Sequence, residues 1–155
     1  MDNKIDKSNL RKIIAESPTQ LKVGLYLAKN IKVSGDFKNI IVCGIGGSAL
    51  PADVQIAIAK PNIPVSIHRD YNIPTEANEA SLLVFCSYSG NTEEPISGLY
   101  EAISKNLKIT CIASGGEIEK LCKKNNLPFV KIPSGIQPRA ATGYMFSALL
   151  KVLAN

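Results

Sequence analysis

An α/β fold, a three-layer αβα sandwich with a five-stranded parallel sheet wound on both faces, is what this 155-residue sequence predicts. Three observations carry that expectation. Five short, nearly continuous apolar runs rich in β-branched residues recur along the chain, the pattern of strands covered on both faces. Stretches with apolar residues at helical spacing separate them. The strict alternation of the two then selects a parallel sheet with helical crossovers.

The first helix is announced by Ser17-Pro18-Thr19-Gln20, which reads as an N-cap, a proline at the first helical position and a Gln closing a capping box. It should run to about Asn30, with Ser34-Gly35 marking its end. The strand-like runs are 39–43, 64–68, 81–86, 108–113 and 128–132. Helical stretches occupy 48–60, 93–106 and 118–125, the second with a stripe of Ile96, Leu99, Tyr100 and Ile103. The segment 138–155 is apolar and helical to its last residue, so a second subunit or a second domain is expected to cover it. Length allows one domain with a substantial core, 1–155, in which 1–16 is an N-terminal segment. No internal repeat, linker or low-complexity tract interrupts it.

Composition narrows the function classes. With 45% apolar and 20% charged residues the chain is globular rather than disordered. A net charge of +5 is spread over scattered lysines, aromatics are 6%, and Trp is absent. Nucleic-acid binding, which concentrates charge on one face, is not expected; a small anionic ligand suits the modest positive field. The N-terminus has no apolar stretch for a signal peptide, and no run is long enough to span a bilayer. A cytoplasmic protein with no membrane contact is the expectation. Cys43, Cys86, Cys111 and Cys122 lack metal or redox spacing and read as buried thiols. With His68 as the lone histidine, a zinc site built with these cysteines is not expected.

In open α/β sheets ligands sit beyond the carboxyl ends of the strands. After the third strand comes Ser87-Tyr88-Ser89-Gly90-Asn91-Thr92. Hydroxyls at Ser87, Ser89 and Thr92, with amides freed at a helix start, suit a phosphate, and Gly90 lets the backbone curl close. An ordinary N-cap would use one hydroxyl and leave the other two unexplained. After the first strand, Gly44-Ile45-Gly46-Gly47-Ser48-Ala49 fits the dinucleotide fingerprint Gly-x-Gly-x-x-Ala, with Asp70 downstream. That reading leaves the hydroxyl loop idle. Alternatively Gly46, Gly47 and Ser48 face a sugar.

Arg139 follows Pro138 in the first turn of a helix, where a cation meets the positive end of the dipole. An anionic ligand or intermediate would compensate it; an Arg reaching solvent, or capping carbonyls elsewhere, is the plainer alternative. Glu93 and Glu94 read as ordinary first-turn carboxylates, Tyr88 and Tyr144 as packing or lining residues, and His68 as a hydrogen-bonded structural histidine, with a base role left open by its place near the ligand edge. Lys123 and Lys124 read as a solvated face.

Together the segments "VCGIGGSAL", "HRDY", "SYSGNTEEP", "ASGGEIEKL" and "KIPSGIQPRAATGYMF" resemble the sugar isomerase (SIS) domain, with its flavodoxin-like winding. More narrowly, they resemble the N-terminal half of the bifunctional phosphoglucose/phosphomannose isomerases. The resemblance covers nearly all of 17–155. It implies that Ser87, Ser89 and Thr92 hold the phosphate of a hexose 6-phosphate, helped by Ser48 and the Gly46-Gly47 backbone. It implies that Arg139 stabilises a cis-enediolate during interconversion of glucose or mannose 6-phosphate with fructose 6-phosphate, without metal or cofactor, in carbohydrate metabolism. Members of that family carry a second SIS domain with a catalytic Glu, His and Lys, and no position in 1–155 matches those. A homodimer or a second SIS domain is the implied partner. Two alternatives stay open: a stand-alone phosphosugar-sensing module, and a dinucleotide-binding oxidoreductase domain.

Overall fold

In a computed structural model the chain is described over residues 5–59 and 62–154. Two helices, α1 (Leu10–Ala15) and α2 (Ser17–Ala28), precede the sheet. Then β1 (Asn39–Cys43), α3 (Leu50–Ala59), β2 (Val65–His68), β3 (Ser81–Ser87), α4 (Glu93–Ser104), β4 (Lys108–Ala113), α5 (Gly116–Asn125) and β5 (Phe129–Lys131) alternate, and α6 (Thr142–Leu153) closes the chain. Every strand pair is parallel, in the order β2-β1-β3-β4-β5. The predicted fold class and all five predicted strands are present, with ends shifted by a residue where the ladder sets them. Position 60, the predicted end of the second helix, and Asn155 lie outside the described residues.

β3 is buried along its whole length and its side chains alternate between two cores. Leu82, Val84 and Cys86 face the core shared with α2, α3 and α6; Leu83 and Phe85 face the one shared with α4 and α5. A two-sided apolar strand therefore reads as a continuous run because each parity has its own layer of helices. Burial raises the Cys43 thiol far above its ordinary value and pushes Cys86 up to about 12. Cys111 is likewise raised by burial, while its hydrogen bond to Cys122 lowers the latter.

Two expectations are corrected. The last helix needs no second subunit to cover it: Met145, Ala148, Leu149 and Val152 of α6 are buried within this chain, where α6 packs against both α2 and α3. The capping box at the start of α2 does not form. Ser17 is already inside the helix, and no side chain caps it. Gln20, 3% exposed, instead donates its Nε2 proton to the Ala140 carbonyl at 2.8 Å. A long-range bond in the interior outcompetes a local one at the surface.

The α2–α6 contact depends on Gly24. A Cβ there would collide with Ser147 Oγ and lie 2.5 Å from the Tyr144 carbonyl oxygen. Gly→Ala inside a helix would otherwise gain about 1 kcal/mol. Here the backbone clash should dominate, so Gly24→Ala is expected to destabilise by about 2 kcal/mol, read from urea unfolding midpoints.

Candidate functional site

Sheet order decides where a crevice opens. β1 and β3 are neighbours, yet β1 leads to α3 on one face and β3 leads to α4 on the other. The chain therefore leaves these two strands toward opposite faces, the switch point at which open α/β sheets hold ligands.

The 87–92 loop forms one wall. Ser87 ends β3 with no exposed surface, and its Oγ lies 2.8 Å from Thr92 Oγ1 while accepting the Gly90 N–H at 3.1 Å. Ser89 is exposed, and its Oγ accepts the Asn91 N–H at 3.1 Å. Gly90 takes φ 72°, which closes the curl. Thr92, half-buried, precedes α4 in an extended conformation, and no side chain caps that helix. The amides of its first turn, less the one that Pro95 lacks, therefore point outward beside the three hydroxyls.

The neighbouring helix start is closed. The Glu117 N–H of α5 donates to Asn91 Oδ1 at 3.0 Å and the Ile118 N–H to the Gly90 carbonyl at 3.1 Å. The 87–92 loop thus caps α5 with its own polar groups, and the Ser114-Gly115-Gly116 turn is not an open anion site.

The opposite wall comes from β1. Gly46, at φ 54°, starts a 3-10 turn over Gly46–Ser48. Ser48 is 9% exposed, and its Oγ accepts the Tyr88 N–H at 3.0 Å. Ser48 thereby ties the two walls together, a task that its sequence position did not reveal. Arg139 lies in a second 3-10 turn, Pro138–Ala141, ahead of α6. Its N and Cα would stand 3.7 Å from a Cβ at Gly47, so the two turns are in van der Waals contact. The Thr142 hydroxyl donates to the Arg139 carbonyl at 2.7 Å, and Gln20 holds the next carbonyl. The Arg139 side chain is exposed, with no carboxylate partner among the described residues. An exposed guanidinium beside the Gly46–Ser48 turn and uncapped amides at the start of α4 are both suited to an anion.

Residues read as structural behave so. His68 Nε2 lies 3.2 Å from the Tyr71 carbonyl, and Asp70 Oδ1 accepts the Tyr71 N–H at 2.7 Å. The Tyr71 hydroxyl donates to Glu93 Oε2 at 3.1 Å. Tyr88 does more than line the site. Its carbonyl accepts from both the backbone N–H and the Oγ of Ser114, at 2.9 and 2.6 Å, and its phenol oxygen accepts the Ile136 N–H at 3.2 Å. Among the described residues no cluster of three His, Cys, Asp or Glu side chains offers a metal site, and no helix is long and apolar enough to cross a membrane.

No family model matches the chain. A curated bifunctional phosphoglucose/phosphomannose isomerase of Caldicellulosiruptor bescii is 38% identical over 143 residues, 89% of this chain and 42% of that protein. The one from Thermoplasma acidophilum is 39% identical over 72% of this chain and 34% of its own. The chain belongs to that family. It spans about two fifths of the length of these relatives. A D-glucosamine-6-phosphate 4-epimerase of Sulfolobus acidocaldarius is 31% identical over 75% of this chain and 37% of its own. In fold, the chain is similar to a candidate phosphosugar isomerase of Clostridium difficile (TM-score 0.67, 16% identity, 93% of this chain, 44% of that one). It is similar also to Vibrio vulnificus NanR complexed with ManNAc-6P (TM-score 0.60, 15% identity, 89% and 58%). The family's SIS fold is therefore the fold of this chain.

Proposed function

We propose that this chain is a phosphosugar-binding SIS domain that holds the phosphate of a hexose 6-phosphate against the 87–92 loop and the start of α4. One observation carries the reading: of the helix starts that follow β3 and β4, α5 is capped by groups of the 87–92 loop, while α4 is left uncapped beside three hydroxyls. Ser89 and Thr92 supply donors to the phosphate oxygens; Ser87, fully buried, orients Thr92 and the Gly90 amide. Ser48 holds the opposite wall, and Gly46 and Gly47 bring backbone against the sugar.

The names of the relatives support the same substrate class. One is named a phosphoglucose/phosphomannose isomerase and another a D-glucosamine-6-phosphate 4-epimerase, and each name carries a phosphorylated hexose or hexosamine. Within an isomerase, Arg139 would face the developing enediolate and stabilise its charge. Proton transfer between C1 and C2 would need a base from a second SIS domain or a second subunit, so this domain alone is expected to bind without turning over. A cytoplasmic place in hexose phosphate metabolism follows from that substrate.

Thermal unfolding tests the reading. Glucose 6-phosphate at a hundred times its Kd should stabilise the domain by about 2.7 kcal/mol. The double variant Ser89→Ala/Thr92→Ala should weaken binding by at least about tenfold, some 1.4 kcal/mol. Arg139→Ala should stay within about threefold for binding. Stabilisation by a nicotinamide dinucleotide and by no hexose 6-phosphate would reject the proposal in favour of the glycine fingerprint.

A further inference from the structure

Four of the five loops at the carboxyl edge of the sheet, those after β1, β3, β4 and β5, meet at one residue. Through its backbone, Tyr88 donates to Ser48 of the β1 loop at 3.0 Å and accepts from Ser114 of the β4 loop at 2.6 and 2.9 Å. Through its phenol it accepts from Ile136, on the stretch between β5 and the Arg139 turn, at 3.2 Å. The residue itself lies between Ser87 and Ser89 of the phosphate loop and is 7% exposed.

This pattern is more than packing needs. A buried aromatic is satisfied by apolar neighbours and one partner for its hydroxyl. The backbone of Tyr88 is pinned on both sides, so the direction of its Cα–Cβ bond follows the conformation of the 87–92 loop. The far end of the same side chain holds a segment whose other anchor is the Ile136 side chain, half-buried against the core. Ser134, Gly135 and Gln137 are exposed, Gly135 sits at φ 93° with nothing within 4 Å of a built Cβ, and Arg139 follows two residues after Gln137. Gln20 of α2 and Thr142 of α6 hold the carbonyls of Ala140 and Arg139. The Ile136 bond holds the other side of the turn.

We propose that Tyr88 is a positioning residue that couples occupancy of the phosphate loop to the placement of Arg139. The inference rests on the phosphosugar reading above. An anion on Ser89, Thr92 and the Gly90 curl restrains the backbone on each side of Tyr88. The ring is then restrained with it, and the phenol–Ile136 bond passes the order on to the Arg139 turn. The link is one of ordering within a rigid frame and needs no large displacement.

Native-state hydrogen exchange on this chain reads the coupling directly. In the unaltered protein, glucose 6-phosphate should slow exchange at the Ile136 amide by about tenfold or more, with the same half-saturation as the Gly90 amide. Inorganic phosphate alone, too small to touch both loops, should slow both amides too. Tyr88→Phe removes the phenol oxygen and keeps the ring. It should leave Gly90 protection in place and abolish the ligand-dependent slowing at Ile136. Persistence of that slowing in Tyr88→Phe overturns the inference. So does a response to inorganic phosphate at Gly90 without one at Ile136, a result that needs no variant to fold. No response at either amide to glucose 6-phosphate overturns the binding reading itself, and this inference with it.

Discussion

Gly90→Ala is expected to abolish hexose 6-phosphate binding, with at least about a hundredfold rise in Kd, and to cost about 3 kcal/mol of stability. The reason is backbone against backbone. A Cβ on Gly90 would fall on the Gly115 carbonyl oxygen and come within 2.7 Å of the Gly115 carbonyl carbon, and φ of 72° disfavours any side chain there. The loop can relieve the clash only by lifting from the β4 loop. That movement would break the Gly90–Ile118 and Asn91–Glu117 bonds and carry Ser89 away from the Ser87–Thr92 hydroxyl pair. Gly46→Ala is the control. It shares the positive φ, 54°, but has nothing within 4 Å of a built Cβ, so only the conformational cost of about 1–2 kcal/mol applies. Chemical denaturation of both variants would check the stability cost, and calorimetric titration of Gly90→Ala the binding. Equal losses in the two would show that φ, and not the contact with Gly115, sets the cost.

Phe85→Ala should produce the largest loss of stability, about 3–5 kcal/mol, a large share of the 5–15 kcal/mol that a domain usually has. Phe85 is wholly buried in β3, the central strand, and its ring supports α4 at Gly98, where a built Cβ would stand 3.0 Å from Phe85 Cε1 and 2.5 Å from the Asn72 carbonyl oxygen. Removing the ring empties the space beneath the helix whose first turn frames the crevice. Binding should therefore weaken along with stability, whereas a methylene deletion at the sheet's far end should alter stability alone. A change of less than about 1.5 kcal/mol in urea unfolding would mean that α4 settles into the gap.

The strands were legible because parallel strands buried on both faces carry their signal in every residue. The helices were legible at their apolar stripes and less so at their ends. Hydrogen bonds to distant segments decide those ends. Ser17 and Gln20 make the point: locally they spell a capping box, and the fold uses Gln20 to hold Ala140 instead. In the same way the 138–155 stretch is apolar in sequence, and only the packing of α6 against α2 and α3 shows what that apolarity serves. At the candidate site, the hydroxyl loop, the double glycine and Arg139 could be read as separate elements. Their convergence could not, because strand order, which makes β1 and β3 neighbours, leaves no mark in periodicity. Nor could the partners of Ser48 and Tyr88, which face each other across forty positions of sequence.

The sealed start of α5 has a consequence for ligand valence. Since Asn91 and the Gly90 carbonyl plug it from inside the fold, the proposed phosphate site has, of the α4 and α5 starts, the α4 one alone to offer a doubly charged head group. A molecule with two linked phosphates would seat one and strand the other in solvent, whereas a monoester fits with its whole charge spent.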